Sequence, residues 1–151
     1  MTSSHDKRTL LLIDDQPEFP QDFLALTGEE FHVVIAMSGE EGLRLLPQAA
    51  PDLVLLDLKL GRGINGLETL KRIKRSNPDI PVIMVTAHAS YETAVQAGRL
   101  GAAHYFSKAP SLKELRLIIQ QSLQHRAVQR AYREELQRRY PRLLGTSAAM
   151  Q

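Results

Sequence analysis

The sequence predicts an α/β fold in which helices cover both faces of a parallel β-sheet. Five short apolar runs, each typical of a strand buried on both faces, recur along the chain: Thr9–Ile13, Phe31–Ala36, Leu53–Asp57, Val82–Thr86 and Ala102–Phe106. Segments with helical periodicity lie between several of these runs. Strands that alternate with helices of this size form βαβ units, and right-handed crossovers bring the carboxyl ends of all strands to one edge.

Three segments between the apolar runs have the spacing of helices: Glu40–Leu46, Leu67–Ile73 and the more polar Tyr91–Leu100. Ser38 precedes two acidic residues, which is typical of a helix start. Pro51 and Pro81 stand shortly before the third and fourth strands, where they help to end the preceding helix. The residues that start and end helices therefore agree with the helices that the hydrophobic periodicity predicts.

Residues 111–140 predict one long helix. No Gly or Pro occurs from Ser111 to Tyr140, and apolar residues recur every three or four positions, with one gap of five between Leu123 and Val128. Thirty helical residues span about 45 Å, which is longer than a domain of this size needs. We expect the first half of this helix to cover the sheet and the second half to project from it.

Composition and charge exclude several classes of protein. The 151 residues contain no cysteine, so disulfides and thiolate metal sites cannot form. The amino terminus does not resemble a signal peptide, and no window approaches the roughly 20 apolar residues of a membrane span. We expect a soluble, cytoplasmic protein without a membrane partner. The 8 Lys/Arg and 3 Asp/Glu of residues 111–151 are interpreted as a solvated helix face, not as a surface that binds DNA.

Charged and polar residues follow the predicted strands at the edge where open parallel sheets bind ligands. Asp14 and Asp15 end the first strand, Asp57 the third and Thr86 the fourth, and Lys108 lies just beyond the fifth. Three close carboxylates repel one another unless a cation intervenes, and hard oxygen ligands suit Mg²⁺. With Lys108 as a second cation and a hydroxyl beside it, one carboxylate is left as a nucleophile. The set predicts a site for aspartyl phosphate formation.

These residues resemble the receiver domain of bacterial two-component response regulators. The resemblance runs from about Thr9 to Gln121 and rests on the segments LLLIDDQPEF, MSGEEGLRLL, PDLVLLDLKL, NGLETLKRIK, PVIMVTAHAS and LGAAHYFSK. It implies a doubly wound, flavodoxin-like, five-stranded parallel sheet of order 2-1-3-4-5, to which this chain adds an extended carboxyl-terminal helix.

The resemblance also implies a function for each site residue. Asp57 is the phosphoacceptor, Mg²⁺ is the cofactor and a sensor histidine kinase is the partner. The remaining implied roles belong to the metal ligands Asp15 (direct), Asp14 (largely through water) and Lys59 (backbone carbonyl), the phosphate-contacting Lys108, and the switch residues Thr86 and Tyr105. Such a chain is at most a phosphotransfer acceptor that dephosphorylates itself, not a multi-turnover enzyme.

The chain departs from the family pattern at two positions. The loop after Asp57 contains Gly61, where the family usually has Pro, together with Gly63 and one extra residue. We expect this loop to be more permissive and to alter access to Asp57 or the rate of dephosphorylation. The usual cis Lys-Pro becomes Lys108-Ala109-Pro110, and a non-proline cis bond costs about 2.5–4 kcal/mol. We therefore expect a trans Lys108–Ala109 bond and a shifted Lys108 amine.

The segment LLGTSAAMQ resembles the start of the AAA+ ATPase domain in sigma-54-dependent transcriptional activators. The chain then divides into a receiver domain (7–121), a linker or dimerisation helix (122–142) and either the start of an AAA+ domain or a loose tail (143–151). The sequence lacks a G-x-x-x-x-G-K-[ST] loop. We expect a homodimer through the long helix, through the face of helix 4, strand 5 and helix 5, or through both, and no direct DNA binding.

Two other functions fit the same residues. A degenerate receiver would only bind protein partners, and the Gly61 loop and the displaced Pro110 favour this alternative. A phosphohydrolase of the haloacid-dehalogenase type also combines Asp, Mg²⁺, Thr and Lys on a parallel sheet. Its nucleophile belongs to an Asp-x-Asp motif, whereas Asp14 and Asp15 are adjacent, and the chain has no cap domain. Steady turnover of phosphate esters would favour the phosphohydrolase.

Overall fold

The structure is a computed structural model that describes residues 7–108 and 111–141. In this part of the chain, strands and helices alternate: β1 (Arg8–Ile13), α1 (Glu18–Thr27), β2 (Phe31–Ala36), α2 (Gly39–Ala49), β3 (Leu53–Leu56), α3 (Gly66–Ser76), β4 (Val82–Thr86), α4 (Tyr91–Arg99), β5 (His104–Ser107) and α5 (Leu112–Arg139). The strands form one parallel sheet of order β2-β1-β3-β4-β5. The predicted fold class and strand order are confirmed.

Successive residues of the central strands alternate between two cores. Leu11, Leu56 and Met84 pack on one face of the sheet, with buried residues of α2, α3 and α4. Leu10 and Leu55 pack on the other face, with buried residues of α1 and α5. Because both faces are covered, β1, β3 and β4 carry continuous apolar runs instead of an alternating pattern. The same arrangement leaves only the ends of the strands free to form a site.

Helix α1 is not predicted by the periodicity, because two prolines obscure its start. Pro17 is the N-cap, and Pro20 lies in the first turn, where backbone N–H groups have no partner within the helix. Phe19 and Phe23, four residues apart, are buried against the sheet. At α2 the expected start is confirmed, because the Ser38 side chain accepts a hydrogen bond from the Glu41 amide at 3.0 Å.

Four predicted strand ends differ from the structure by one or two residues. The first strand begins one residue earlier, at Arg8, and the fifth ends one residue later, at Ser107. The fifth strand begins at His104 instead of Ala102, because Gly101, with φ +102°, ends α4 and the Ala102 amide still bonds to the Ala97 carbonyl at 2.9 Å. The third strand ends at Leu56, so Asp57 follows it. This places the Asp57 side chain beyond the apolar core.

Helix α5 has 28 residues and changes character along its length. Leu115, Ile119 and Leu123 are buried against the sheet, whereas Val128 and Tyr132 are 60% and 65% exposed. The first half therefore covers the sheet, as predicted, whereas the second half is largely exposed but still contacts the domain through Arg126 and Arg133. No helix in the described ranges is long and apolar enough to cross a membrane. The expected trans Lys108–Ala109 bond and the 143–151 segment lie outside the described residues.

Candidate functional site

The carboxyl ends of β1 and β3 bring three acidic side chains together. The Asp14 amide donates to the Ala36 carbonyl at 3.0 Å and the Asp57 amide to the Ile13 carbonyl at 2.9 Å, so the hydrogen-bond ladder of the sheet extends to both residues. One carboxylate oxygen from each of Asp14, Asp15 and Asp57 lies within 4.8 Å of the other two. Asp14 and Asp57 are buried, and Asp15 is half-buried.

Lys108 places one ammonium group between two of these carboxylates. Its Nζ atom lies 2.6 Å from Asp14 Oδ2 and 3.1 Å from Asp57 Oδ2, and 5.2 Å from the centre of the Phe19 ring. Burial lowers the pKa of Lys108, but hydrogen bonds and charge from the two carboxylates outweigh burial and raise the pKa overall. Lys108 is therefore held as a cation.

Burial raises the pKa of Asp14, and the hydrogen bonds from Lys108 and the Gln16 amide only partly oppose this effect. The neighbouring charge of Asp57 raises it further. Burial is the largest cause of this shift, and the Lys108 ammonium, shared between Asp14 and Asp57, offsets only part of it. Taking the three carboxylates as ionised, the cluster with Lys108 has a formal charge of −2.

Asp15 differs from the other two acids, since Lys108 does not contact it. Its Oδ2 atom accepts a hydrogen bond from the Gly61 amide at 2.6 Å. Its Oδ1 atom is buried and has no hydrogen-bond partner among the described residues. A buried carboxylate oxygen without a donor is unfavourable. A divalent cation that binds oxygen ligands would give this oxygen a partner. The three acids therefore fit a Mg²⁺ site.

A cleft of about 480 Å³ opens beside this cluster. Its lining includes Asp15, Asp57, Lys59, Gly61 and Lys108. The Lys59 amide donates to Asp57 Oδ1 at 3.3 Å, which places the Lys59 backbone beside the nucleophile candidate. Since one water occupies about 30 Å³ of liquid volume, the cleft has room for a phosphoryl group with several waters.

Thr86 and Tyr105 lie beside the site, and their side chains form hydrogen bonds with other residues. Thr86 is fully buried at the end of β4, and its Oγ1 accepts a hydrogen bond from the His88 amide at 3.1 Å. Tyr105 is half-buried, and its hydroxyl bonds to Thr93 Oγ1 and accepts from the Ser90 amide at 3.3 Å. Within the described ranges, no hydrogen bond links either side chain to Asp57. Both residues instead hold the start of α4 and the loop before it.

The loop between β3 and α3 contains glycines, which suggest flexibility, but two hydrogen bonds to carboxylates hold it in place. The Gly61 amide bonds to Asp15, and the Ile64 amide donates to Glu40 Oε2 at 3.0 Å. Gly63 adopts φ +78°, and an added Cβ would lie 2.2 Å from the Glu40 carboxylate. The motifs give no signal for the contacts of Gly61 and Glu40, because a backbone donor leaves no side-chain pattern.

Comparison with known proteins agrees with this geometry. The family described as response regulator receiver domain matches residues 10–120. The chain is 34% identical over 149 residues to the transcriptional regulatory protein ZraR of Escherichia coli O157:H7, covering 98% of this chain and 34% of that protein. It is 35% identical to the transcriptional regulatory protein GlrR of Escherichia coli K12, with coverages of 93% and 32%. The chain thus spans about a third of the length of these relatives.

Solved structures give the same result. NtrX from Brucella abortus superposes with a TM-score of 0.77 at 30% identity, over 85% of this chain and 29% of that chain. A CheY-like response regulator receiver domain protein from Methanospirillum hungatei has a TM-score of 0.77 at 28% identity, over 82% of this chain and 99% of that chain. With its sheet order and its cluster of acids, the chain belongs to the response regulator receiver domain family of two-component systems.

Proposed function

We propose that this chain accepts a phosphoryl group on Asp57 from the phosphohistidine of a sensor histidine kinase, with Mg²⁺ as the cofactor. The observation that carries the proposal is the Lys108 ammonium, which bridges Asp57 and Asp14 beside an open cleft. In this reaction a carboxylate oxygen of Asp57 attacks phosphorus, an O–P bond forms and the N–P bond of the phosphohistidine breaks. The released histidine takes up a proton from solvent and leaves as neutral imidazole.

Each residue of the site has a defined task in this proposal. Lys108 attracts the oxygens of the incoming phosphoryl group, and the Lys59 amide orients the Asp57 carboxylate. Asp14, Asp15 and Asp57, with the Lys59 backbone carbonyl, would hold the metal ion. When bound, Mg²⁺ would supply positive charge that offsets these acids and the transferring phosphoryl group. The chain then acts as a phosphotransfer acceptor that is at most able to dephosphorylate itself.

The contacts of Thr86 and Tyr105 support a route by which phosphorylation of Asp57 would change the surface of the domain. In the proposed switch, the Thr86 hydroxyl exchanges the His88 amide for a phosphoryl oxygen, and Tyr105 then changes rotamer. Tyr105 would leave Ser90 and Thr93, which stand at the first turn of α4. Phosphorylation would thereby change the face formed by α4, β5 and α5.

The longer relatives favour a regulatory role in transcription. We propose a cytoplasmic chain with a receiver domain at 7–121, a linker or dimerisation helix at 122–142, and at 143–151 the start of a sigma-54-type AAA+ domain. A homodimer through the exposed half of α5, the α4–β5–α5 face or both would control that ATPase. Val128 and Tyr132 on the exposed half supply apolar area for such pairing. Light scattering with and without beryllofluoride and Mg²⁺ tests this, and an unchanged mass and shape would contradict it.

Phosphorylation itself is tested with a small acyl phosphate and Mg²⁺, followed by intact-protein mass spectrometry. We expect the wild type to gain one phosphoryl group and Asp57→Asn to gain none. Asp52→Asn, at the opposite end of β3, is the matched control and should label like the wild type. Labelling of Asp57→Asn at the normal rate would exclude Asp57 as the acceptor. A wild type that takes up no phosphate would instead indicate a degenerate receiver that only binds partners.

A further inference from the structure

The loop between β3 and α3 is held by carboxylates from two other parts of the chain. Asp15, just after β1, accepts from the Gly61 amide at 2.6 Å. Glu40, in the first turn of α2, accepts from the Ile64 amide at 3.0 Å. These bonds span 46 and 24 residues of sequence, so they fix the loop against the rest of the domain. One of the two carboxylates belongs to the acidic cluster described above.

Two features favour glycine at residue 61: its amide donates a hydrogen bond, and a side chain would lie too close to Asp15. A Cβ atom at this position would lie 2.7 Å from Asp15 Oδ2, closer than real Cβ contacts come. The same oxygen accepts the amide hydrogen of Gly61. A proline, which the receiver family usually has here, carries no N–H and could not make this bond. The glycine thus makes a contact that the usual family residue cannot make.

The Gly61 contact divides the two oxygens of the Asp15 carboxylate. Oδ2 is engaged by the loop, whereas Oδ1 is buried and has no hydrogen-bond partner among the described residues. A charge-assisted hydrogen bond of this kind restrains the Asp15 carboxylate. Because the Asp15 side chain is already oriented, less conformational entropy is lost when an ion binds to it.

We propose that Gly61 is a positioning residue, whose amide holds Asp15 so that Oδ1 is the oxygen offered to a divalent cation. The proposal rests on the proposed function, since it assigns Asp15 to the cation. Glu40 supports the arrangement by fixing Ile64, three residues further along the loop. Groups that orient metal ligands in this way typically change metal affinity by about 10–100-fold when they are removed.

The test is the affinity of the unphosphorylated full chain for Mg²⁺ alone, measured by isothermal titration calorimetry. Gly61→Pro removes the N–H donor, whereas Gly61→Ala keeps the donor and adds only the Cβ beside Asp15. We expect the Mg²⁺ affinity of Gly61→Pro to fall by about tenfold or more below those of the wild type and Gly61→Ala. Gly98→Ala is the control, because a Cβ at Gly98 meets nothing within 4 Å and should leave the affinity unchanged. Circular dichroism shows whether each variant is folded. Equal or tighter Mg²⁺ binding by folded Gly61→Pro would overturn the proposal.

A second measurement needs no change at residue 61 and no metal. In the wild type, the Gly61 amide proton should resonate downfield, because it donates to a carboxylate. Asp15→Ala should move this resonance upfield, whereas the Gly66 amide, bonded to the Leu58 carbonyl at 2.9 Å, should stay in place. A Gly61 resonance that does not respond to Asp15→Ala would show that the contact is absent, and the positioning role would fail.

The two proposals fail in different ways. If the wild type binds no Mg²⁺ and accepts no phosphate, the proposed function fails and the positioning role fails with it. If the wild type binds Mg²⁺ and accepts phosphate while folded Gly61→Pro binds Mg²⁺ equally well, only the positioning role is wrong. Weaker Mg²⁺ binding by Gly61→Pro, together with a Gly61 resonance that responds to Asp15→Ala, supports both.

Discussion

The acids at the two ends of the same sheet have opposite charge environments. At the amino end, Asp52 receives a hydrogen bond from the Thr9 amide at 2.9 Å and an ion pair from Arg126 at 3.1 Å, with Arg8 at 3.9 Å. At the carboxyl end, Lys108 pairs with Asp14 and Asp57, and Asp15 has no basic partner among the described residues. One acid faces two bases at the amino end, whereas three acids face one base at the carboxyl end.

The difference separates a structural ion pair from a site prepared for a ligand. At the amino end, the charge of Asp52 is compensated within the chain by Arg126 and Arg8, although Arg126 Nε is buried without a hydrogen-bond partner among the described residues. At the carboxyl end, the excess negative charge is costly unless a cation binds, as like charges in a buried space destabilise one another. A charge imbalance of this kind is typical of functional sites. The following changes test the contrast in order of expected effect.

Removing Lys108 should have the largest effect on stability. Lys108→Ala leaves Asp14 and Asp57 buried without their cation, and breaking a buried pair from one side costs about 3 kcal/mol. We expect the free energy of unfolding in urea, measured without Mg²⁺, to fall by about that amount. Lys113→Ala, an exposed lysine at the start of α5, is the control and should change little. Equal losses in both variants would mean that the ion pairs of Lys108 do not stabilise the fold.

Mg²⁺ should offset part of the excess negative charge at the carboxyl end and so stabilise the fold. At a concentration one hundred times Kd, a ligand that binds only the folded state adds about 2.7 kcal/mol to the free energy of unfolding. We expect this gain in the wild type and its loss in Asp15→Asn, measured by urea unfolding with and without the ion. Without Mg²⁺, Asp15→Asn should be at least as stable as the wild type, because one of three like charges is gone. A full Mg²⁺ response in Asp15→Asn would exclude Asp15 as a ligand.

Asp52 at the amino end should affect stability without affecting the site. Asp52→Ala leaves the largely buried Arg126 guanidinium without its carboxylate, which costs about 1–2 kcal/mol of the free energy of unfolding. The stabilisation by Mg²⁺ should remain as in the wild type. Asp22→Ala, an exposed residue of α1, is the control for loss of an acid. A changed Mg²⁺ response in Asp52→Ala would show that the two ends are coupled.

The smallest effect is expected where the amino end meets the second half of α5. Arg133 and Asp79 form an ion pair of 3.0 Å, with side chains 64% and 65% exposed. Exposed pairs contribute little, so Arg133→Ala should lower the free energy of unfolding by less than about 0.5 kcal/mol. Thermal and urea unfolding measure this change. A loss above about 1 kcal/mol would show that this half of α5 is firmly packed on the domain.

Much of the fold could be predicted from the sequence, because the central strands are buried on both faces and must be apolar throughout. The runs at Leu10–Ile13 and Leu53–Leu56 therefore stand out without any partner being known. Helix α1 could not be predicted in this way, since Pro17 and Pro20 obscure its start while Phe19 and Phe23 bury its inner face. In that segment the packing against the sheet, and not the local pattern, decides the structure.

The sequence by itself determined which acids reach the carboxyl end, because Asp14, Asp15 and Asp57 directly follow buried strands of a parallel sheet. Only the tertiary structure decided how their charges are shared. Lys108 bonds to Asp14 and Asp57 but not to Asp15, whose partner is the Gly61 amide. The physical reason is distance and donor type. These bonds cross 46 to 94 residues, and a backbone N–H is the same in every sequence except at proline.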